Sequence, residues 1–300
     1  QDLRGLPFFD MERQRTIWFR PEDLPDDPAT PSVLFLDELT AAAPQLQPTV
    51  YGLLQERRVG PHRLPDSCMV IAAGNTVDDG AIAYEMGSAL SDRLVHLNLV
   101  AEAGDWVAGY AVPQGLDPAV IAFIRTRPDL LDTNEAAQRR GDMIACTPRS
   151  WARVSALMGA LPERSLRNTA IAGVLGDAVA AEFLLIADEI AATVQLDDML
   201  AAKPKDRAAL YPPSMHGMTA LIYALVSRAD AENMATIIDI MTEARALTGA
   251  PFNAMPLAEL GAHGFEMLIR RALDNDMADA FLDSPAYAAY AEERRAAGLE

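Results

Sequence analysis

Two adjacent carboxylates, Asp37 and Glu38, close the run Ser32-Val33-Leu34-Phe35-Leu36-Asp37-Glu38-Leu39-Thr40. Such a pair can divide labour: one carboxylate holds a divalent cation, Mg²⁺, and the next polarises the water that attacks a phosphoryl group. The preceding apolar run is short and continuous, which fits a strand buried on both faces of a parallel sheet. Ligands of such sheets bind beyond the carboxyl ends of the strands, where this pair would stand. Acidic residues also collect at solvated strand ends and helix N-termini for electrostatic reasons alone. The pair therefore needs partners before it means chemistry.

Phosphoryl transfer to water requires a polar group near the terminal phosphate and cations that spread transition-state charge. The chain offers both in order. Asn75 follows Gly74 at the end of a second apolar run, Met69–Ala73. Arg93 follows Ser91-Asp92 and precedes the alternating stretch Leu94–Leu99. Arg149 sits in Thr147-Pro148-Arg149-Ser150-Trp151, a helix start with Pro in its first turn. Each has a plainer alternative. Asn75 can end a strand in a left-handed turn, Arg93 can pair with Asp92, and Arg149 can be an ordinary surface residue. By charge alone, Arg57 and Arg58 rival Arg93.

The elements that must carry these residues read as follows. Residues 1–31 are rich in Pro and Asp, with Ile17-Trp18-Phe19 strand-like and 23–31 an exposed loop. A strand over 33–36, an amphipathic helix over 44–57, a hairpin turning at Gly60-Pro61 and a second buried strand over 69–73 follow. A helical piece at 87–90 leads to a third strand, 94–99. Beyond residue 101 strand signals stop. Helical periods recur at 106–110, 119–124, 150–161 and 169–190, then at 218–226, 231–247 and 257–273, with a Pro- and charge-rich break at 201–213 and a polar, Ala-rich helix at the end. The expected fold class is α/β followed by all-α.

Composition sets limits. The chain of 300 residues carries 43 acidic and 25 basic side chains, a net charge of −18. Non-specific DNA or RNA binding needs a basic surface, so nucleic acid is disfavoured; ATP needs only a local positive site. Cys68 and Cys146 lack metal-ligand spacing, and the four histidines, His62, His96, His216 and His263, are scattered. No apolar run reaches the length of a membrane span and no signal peptide is visible. Reduced thiols and these absences give a cytoplasmic expectation.

Taken together, Val33–Glu38, Leu53-Leu54-Gln55-Glu56-Arg57-Arg58, the hairpin through Leu64-Pro65, Val70-Ile71-Ala72-Ala73-Gly74-Asn75 and Ala89-Leu90-Ser91-Asp92-Arg93-Leu94 resemble MoxR-type AAA+ ATPases. Asp2–Pro7 and Thr147–Trp151 fit the same pattern. The resemblance covers roughly residues 1–190. It implies a partial AAA+ parallel-sheet core over 1–100, a helical lid over 101–190 and a C-terminal helical extension over 191–300. It also implies roles. Asp37 resembles the Walker B aspartate that serves Mg²⁺. Glu38 resembles the catalytic base, Asn75 the sensor of the γ-phosphate, and Arg149 the lid arginine that contacts nucleotide in its own subunit. Arg93 resembles the arginine finger that reaches a neighbour's ATP in a homo-oligomeric, hexameric ring. A client protein or a partner with a von Willebrand factor A domain is implied by the resemblance alone.

One departure limits it. The phosphate-binding loop Gly-x-x-x-x-Gly-Lys-[Ser/Thr] is absent, and the only lysines, Lys203 and Lys205, lie in the Pro-rich break. The family places that loop upstream of the segment matching Asp2–Pro7. The chain opens on Gln1 in what reads as the middle of a domain, so a missing upstream segment is the simplest expectation and a degenerate subunit the alternative. The chain as given is expected to bind ATP poorly and to hydrolyse almost none. A reading from a different class also stands: a non-hydrolysing helical or AAA-like module that docks a client.

Overall fold

The computed structural model describes residues 2–43, 45–75, 84, 86–279 and 284–296. The chain divides into two compact units, Gln1–Leu99 and Val100–Glu300. The first mixes strands and short helices; the second is helical.

In the first unit, β1 (Leu6–Asp10) pairs antiparallel with β2 (Arg15–Phe19), Phe8 opposite Ile17. The Asp10 carboxylate accepts the Arg13 amide at 3.0 Å and Gln14 turns left-handed. The strand-like piece expected at Ile17–Phe19 is thus one arm of a full hairpin. β3 (Ser32–Leu36) pairs parallel with β6 (Cys68–Ala72), Leu34 opposite Val70 and Leu36 opposite Ala72. Parallel strands need a crossover. Here it consists of α1 (Gln47–Tyr51), its wider-wound continuation Gly52–Glu56, and the small hairpin of β4 (Arg58–Val59) and β5 (His62–Arg63). The helix ends at Arg57, which is left-handed and whose guanidinium donates to the carbonyls of Pro65, at 2.7 Å, and Cys68. Arg57 is therefore a strut of the crossover.

Two expectations for this unit are corrected. The paired strands are not buried on both faces. Leu34, Leu36 and Val70 pack on Leu24, Leu53, Val59, Leu64 and Cys68, whereas Phe35 and Met69 are 54% and 62% exposed. The reason is that only one face carries covering elements among the described residues. The segment 94–99 forms no strand: Val95, Leu97 and Leu99 are 89%, 81% and 91% exposed and the backbone has no ladder partner. Alternation alone does not make a strand; pairing does, and no described strand lies beside it.

In the second unit the expected helices at 119–124 and 150–161 are α4 (Pro118–Thr126) and α6 (Pro148–Ala160), with α3 (Ala103–Trp106) before them and α5 (Asn134–Arg140) between. The single helix expected over 169–190 is two, α7 (Arg164–Leu175) and α8 (Asp177–Thr193), broken at Gly176. Its φ of 81° with ψ of 154° is a conformation that only glycine adopts readily, so the chain turns where helical periodicity runs on. α9 (Leu196–Ala201) leads into the Pro-rich break, and α10 (Met215–Arg228), α11 (Met234–Arg245), α12 (Leu257–Asp274) and α13 (Pro285–Ala296) complete the order. The 190/191 boundary falls within α8.

α10 is buried from Gly217 to Val226 and packs on α4, α8, α11 and α12, as an apolar-all-round helix must. Phe123, Trp151 and Phe183 meet edge to face or tilted with centroids 5.2–5.7 Å apart, and Trp151 Nε1 donates to the Leu130 carbonyl at 2.8 Å. An ionic clamp holds the buried Arg207 against the half-buried Glu243. Arg207 donates to Glu243 Oε1 at 2.8 Å and the Tyr211 hydroxyl to Glu243 Oε2 at 3.0 Å. Burial, and then the Glu243 charge, push the Tyr211 hydroxyl far above its usual range. The Glu243→Ala variant leaves the buried Arg207 charge without its carboxylate. It should lose about 3 kcal/mol of stability, read as a lower denaturant midpoint in chemical unfolding.

Candidate active site

The acidic pair stands where the β3–β6 ladder runs out. Past the last paired residues, Leu36 and Ala72, two further rungs continue the tie. The Ala73 amide donates to the Leu36 carbonyl at 3.0 Å, and the Leu39 amide donates to the Ala73 carbonyl at 2.8 Å. Asp37, Glu38 and Asn75 are thereby held on one rim, at the carboxyl ends of two adjacent parallel strands. All three are exposed.

The turn that carries the pair is specific. Asp37 Oδ1 accepts the Glu38 amide at 3.0 Å. Glu38 is left-handed, φ 52° and ψ 40°, and precedes a short 3₁₀ turn, Leu39–Ala41. That conformation costs a non-glycine residue about 1–2 kcal/mol, and strain of this kind gathers at functional sites. Leu39 is buried against Val50 and Leu90, with Leu36, Ala72 and Leu94 around them. This small cluster joins the acidic turn to α1 and to the helix α2 (Ser88–Ser91), which ends two residues before Arg93.

Beneath the rim lies a residue that the sequence reading missed. Thr40 sits against Gly74 so closely that a methyl group at 74 would lie 2.5 Å from Thr40 Oγ1 and 3.0 Å from its amide nitrogen. Only glycine fits. Thr40 Oγ1 is buried with no hydrogen-bond partner among the described residues, and the Thr40 carbonyl accepts the Tyr84 amide at 2.8 Å. No residue-type signal in Glu-Leu-Thr marks this; it arises from the meeting of two strand ends.

Arg93 is in the same unit. Its Nε donates to Gln55 Oε1 at 2.8 Å, another nitrogen donates to the Ala89 carbonyl, and its guanidinium lies 5.7 Å from the Tyr51 ring centroid. It is exposed and held by an amide, a carbonyl and a ring, with no pairing to Asp92. Gln55 and Tyr51, four residues apart on one helical face, are its unforeseen supports. Arg149 belongs to the second unit. It is exposed in the first turn of α6, whose N-cap Thr147 accepts the Ser150 amide at 3.1 Å.

Among the described residues no group of three or more His, Cys, Asp or Glu stands together as a metal cage, and no helix is long and apolar enough to cross a membrane. The rim instead offers oxygen donors singly. Asp37 Oδ2 and both Glu38 carboxylate oxygens make no hydrogen bond among the described residues. This suits Mg²⁺, which keeps several waters and takes one or two carboxylates beside substrate phosphates. Family models, curated proteins and solved structures yield no match to this chain.

Two expected outcomes follow from the geometry. The Glu38→Gly variant loses the strained side chain, and its folding stability should hold or rise by up to about 1 kcal/mol in chemical denaturation. The Gly74→Ala variant forces Thr40 and the Asn75 turn apart. It should lose about 1–3 kcal/mol and shift the backbone amide resonances of residues 39–41 and 73–75.

Proposed function

We propose that this chain carries the hydrolytic rim of an Mg²⁺-dependent, MoxR-like AAA+ ATPase that remodels a client protein. The observation that supports the reading is the placement of Asp37 and Glu38 on one strand end and Asn75 on the next, tied by the Leu39–Ala73 hydrogen bond. In this reading Asp37 serves Mg²⁺, Glu38 orients and deprotonates the attacking water, and Asn75 reads the terminal phosphate. Mg²⁺ bridges phosphate oxygens and neutralises developing charge. The backbone at Glu38 is left-handed and its side chain makes no cap hydrogen bond to the following turn.

The finer architecture belongs to the same proposal: an AAA+ core in the first unit, a lid carrying Arg149 in the second, and a C-terminal helical extension. Arg93, exposed and without an acidic partner among the described residues, suits a role in trans in a hexameric ring. A partner with a von Willebrand factor A domain, the cytoplasmic location and the disfavouring of nucleic acid go with it. A second reading has one observation in its favour. The 300 residues contain no Gly-x-x-x-x-Gly-Lys-[Ser/Thr], so a non-hydrolysing, client-docking module is the rival.

ATP turnover by the full-length natural protein separates them. Glu38→Gln removes the base while keeping size and shape, and should lower kcat by about 10²- to 10⁴-fold with ATP binding retained. Equal rates for the natural protein and the variant would remove Glu38 from its role, and no turnover by the natural protein would favour the module.

A further inference from the structure

Packing explains where Thr40 stands but leaves its hydroxyl without a use. The backbone there is fixed on both sides. Leu39, just before it, donates to the Ala73 carbonyl at 2.8 Å, and the Thr40 carbonyl accepts the Tyr84 amide at 2.8 Å. The side chain lies against Gly74, where a methyl group would stand 2.5 Å from Oγ1 and 3.0 Å from Cγ2. Oγ1 is buried, and no described residue accepts its proton. Threonines elsewhere place theirs within a helix: Thr126, Thr193, Thr219 and Thr242 each donate to the carbonyl four residues back, at 2.8–3.1 Å. Thr40 lacks that outlet, because the left-handed Glu38 breaks the helical path behind it.

A buried hydroxyl left unpaired forfeits its bonds to water, and such groups are rare enough in native structures to require a reason. The side chain that can supply one follows Gly74. Consecutive Cα atoms are about 3.8 Å apart, so the Asn75 carboxamide begins one residue from the glycine that Thr40 abuts. Asn75 is exposed, and its carboxamide makes no hydrogen bond among the described residues. Two complementary groups, both without described partners, thus stand on adjoining strand ends that the Leu39–Ala73 bond ties together. A carboxamide has a donor end and an acceptor end. Only the NH₂ end can meet a phosphate oxygen, so an asparagine that reads phosphate needs its carbonyl end held the other way. A hydroxyl proton can hold it.

We propose that Thr40 is a positioning residue for Asn75: its hydroxyl donates to the Asn75 side-chain carbonyl and turns the NH₂ group toward the terminal phosphate. The bond forms as nucleotide binds. Exposed side chains change rotamer within nanoseconds, so Asn75 can swing onto a hydroxyl that the backbone already holds in place. Thr40 touches neither phosphate nor water in this scheme; it acts only through Asn75. The free chain then carries an unpaired hydroxyl that weakens folding, and the loaded site recovers the loss. The inference rests on the hydrolytic reading and extends it, because the acidic turn of one strand orients the phosphate reader of the next.

Two substitutions divide the side chain: Thr40→Val keeps its shape without the hydroxyl, and Thr40→Ser keeps the hydroxyl. In the full-length natural protein, Thr40→Val should lower kcat for ATP about tenfold with KM nearly unchanged, the loss of one hydrogen bond made in the transition state. Thr40→Ser should restore most of the natural rate. In an Asn75→Ala background the Thr40→Val loss should vanish, because the two groups act as a pair. Chemical unfolding separates this role from a structural one: Thr40→Val should be as stable as the natural sequence or more so. A natural rate in Thr40→Val, an equal loss in Thr40→Ser, a loss undiminished beside Asn75→Ala, or a lower unfolding midpoint in Thr40→Val would each overturn the proposal. Glu38→Gln tells the two failures apart. Where Glu38→Gln stops turnover and Thr40→Val does not slow it, this inference alone is lost. Where Glu38→Gln runs at the natural rate, or the natural protein turns over no ATP, the hydrolytic reading falls and takes this inference with it.

Discussion

Two hydrogen bonds beyond the last rung of a parallel ladder set the geometry on which the candidate site depends. If Ala73 did not donate to Leu36 and accept from Leu39, the chains leaving β3 and β6 would diverge at once. Held together, they bring an acidic pair and an asparagine side by side and force Glu38 into a left-handed turn. The same tie seats Leu39 in the Val50–Leu90 cluster, which joins the rim to the helix preceding Arg93. Backbone pairing, local strain and a small apolar contact act as one constraint. The hydroxyl of Thr40, buried beneath Gly74, is its least expected product.

Much of this was legible in the residues. The apolar runs at 33–36 and 69–73 announced strands, Gly60-Pro61 announced the hairpin, and Thr147-Pro148 announced the start of α6. These features are local: a side chain or a fixed φ decides them. What was not legible depends on distant partners. Phe35 and Met69 read as core because nothing in a strand's own sequence says whether its second face is covered. Leu94–Leu99 reads as a strand because alternation precedes pairing, and the pairing is missing. The Gly176 break was hidden by helical periodicity on both sides of it. Arg57 and Arg93 carry the same charge, yet carbonyl acceptors immobilise one in the crossover while an amide and a ring hold the other at the surface.

The two units rest on different physics. The helical unit has one continuous apolar cluster running from Ala103 to Tyr290; Arg207, Tyr211 and Thr219 are satisfied there by a carboxylate or by backbone carbonyls, while the Tyr223 hydroxyl and Ser227 Oγ are buried without a hydrogen-bond partner among the described residues. The first unit has two small clusters and relies on arginine struts. Arg57 bridges Pro65 and Cys68, and Arg20 reaches the carbonyls of Leu24, Pro25 and Arg63. Loops fixed by guanidinium–carbonyl bonds can present charged side chains on a frame with little core beneath them.

The ribbon of β3 and β6 has a further meaning. It is two strands wide, with no further strand paired to its outer sides among the described residues, and with Val33, Phe35, Met69 and Ile71 bare on one surface. Such a ribbon is a template for adding strands, because each new neighbour gains amide partners and hides grease in the same step. Concentrated solutions of this chain are therefore prone to sticking edge to edge, and the acidic surplus that keeps like molecules apart acts as its gatekeeper.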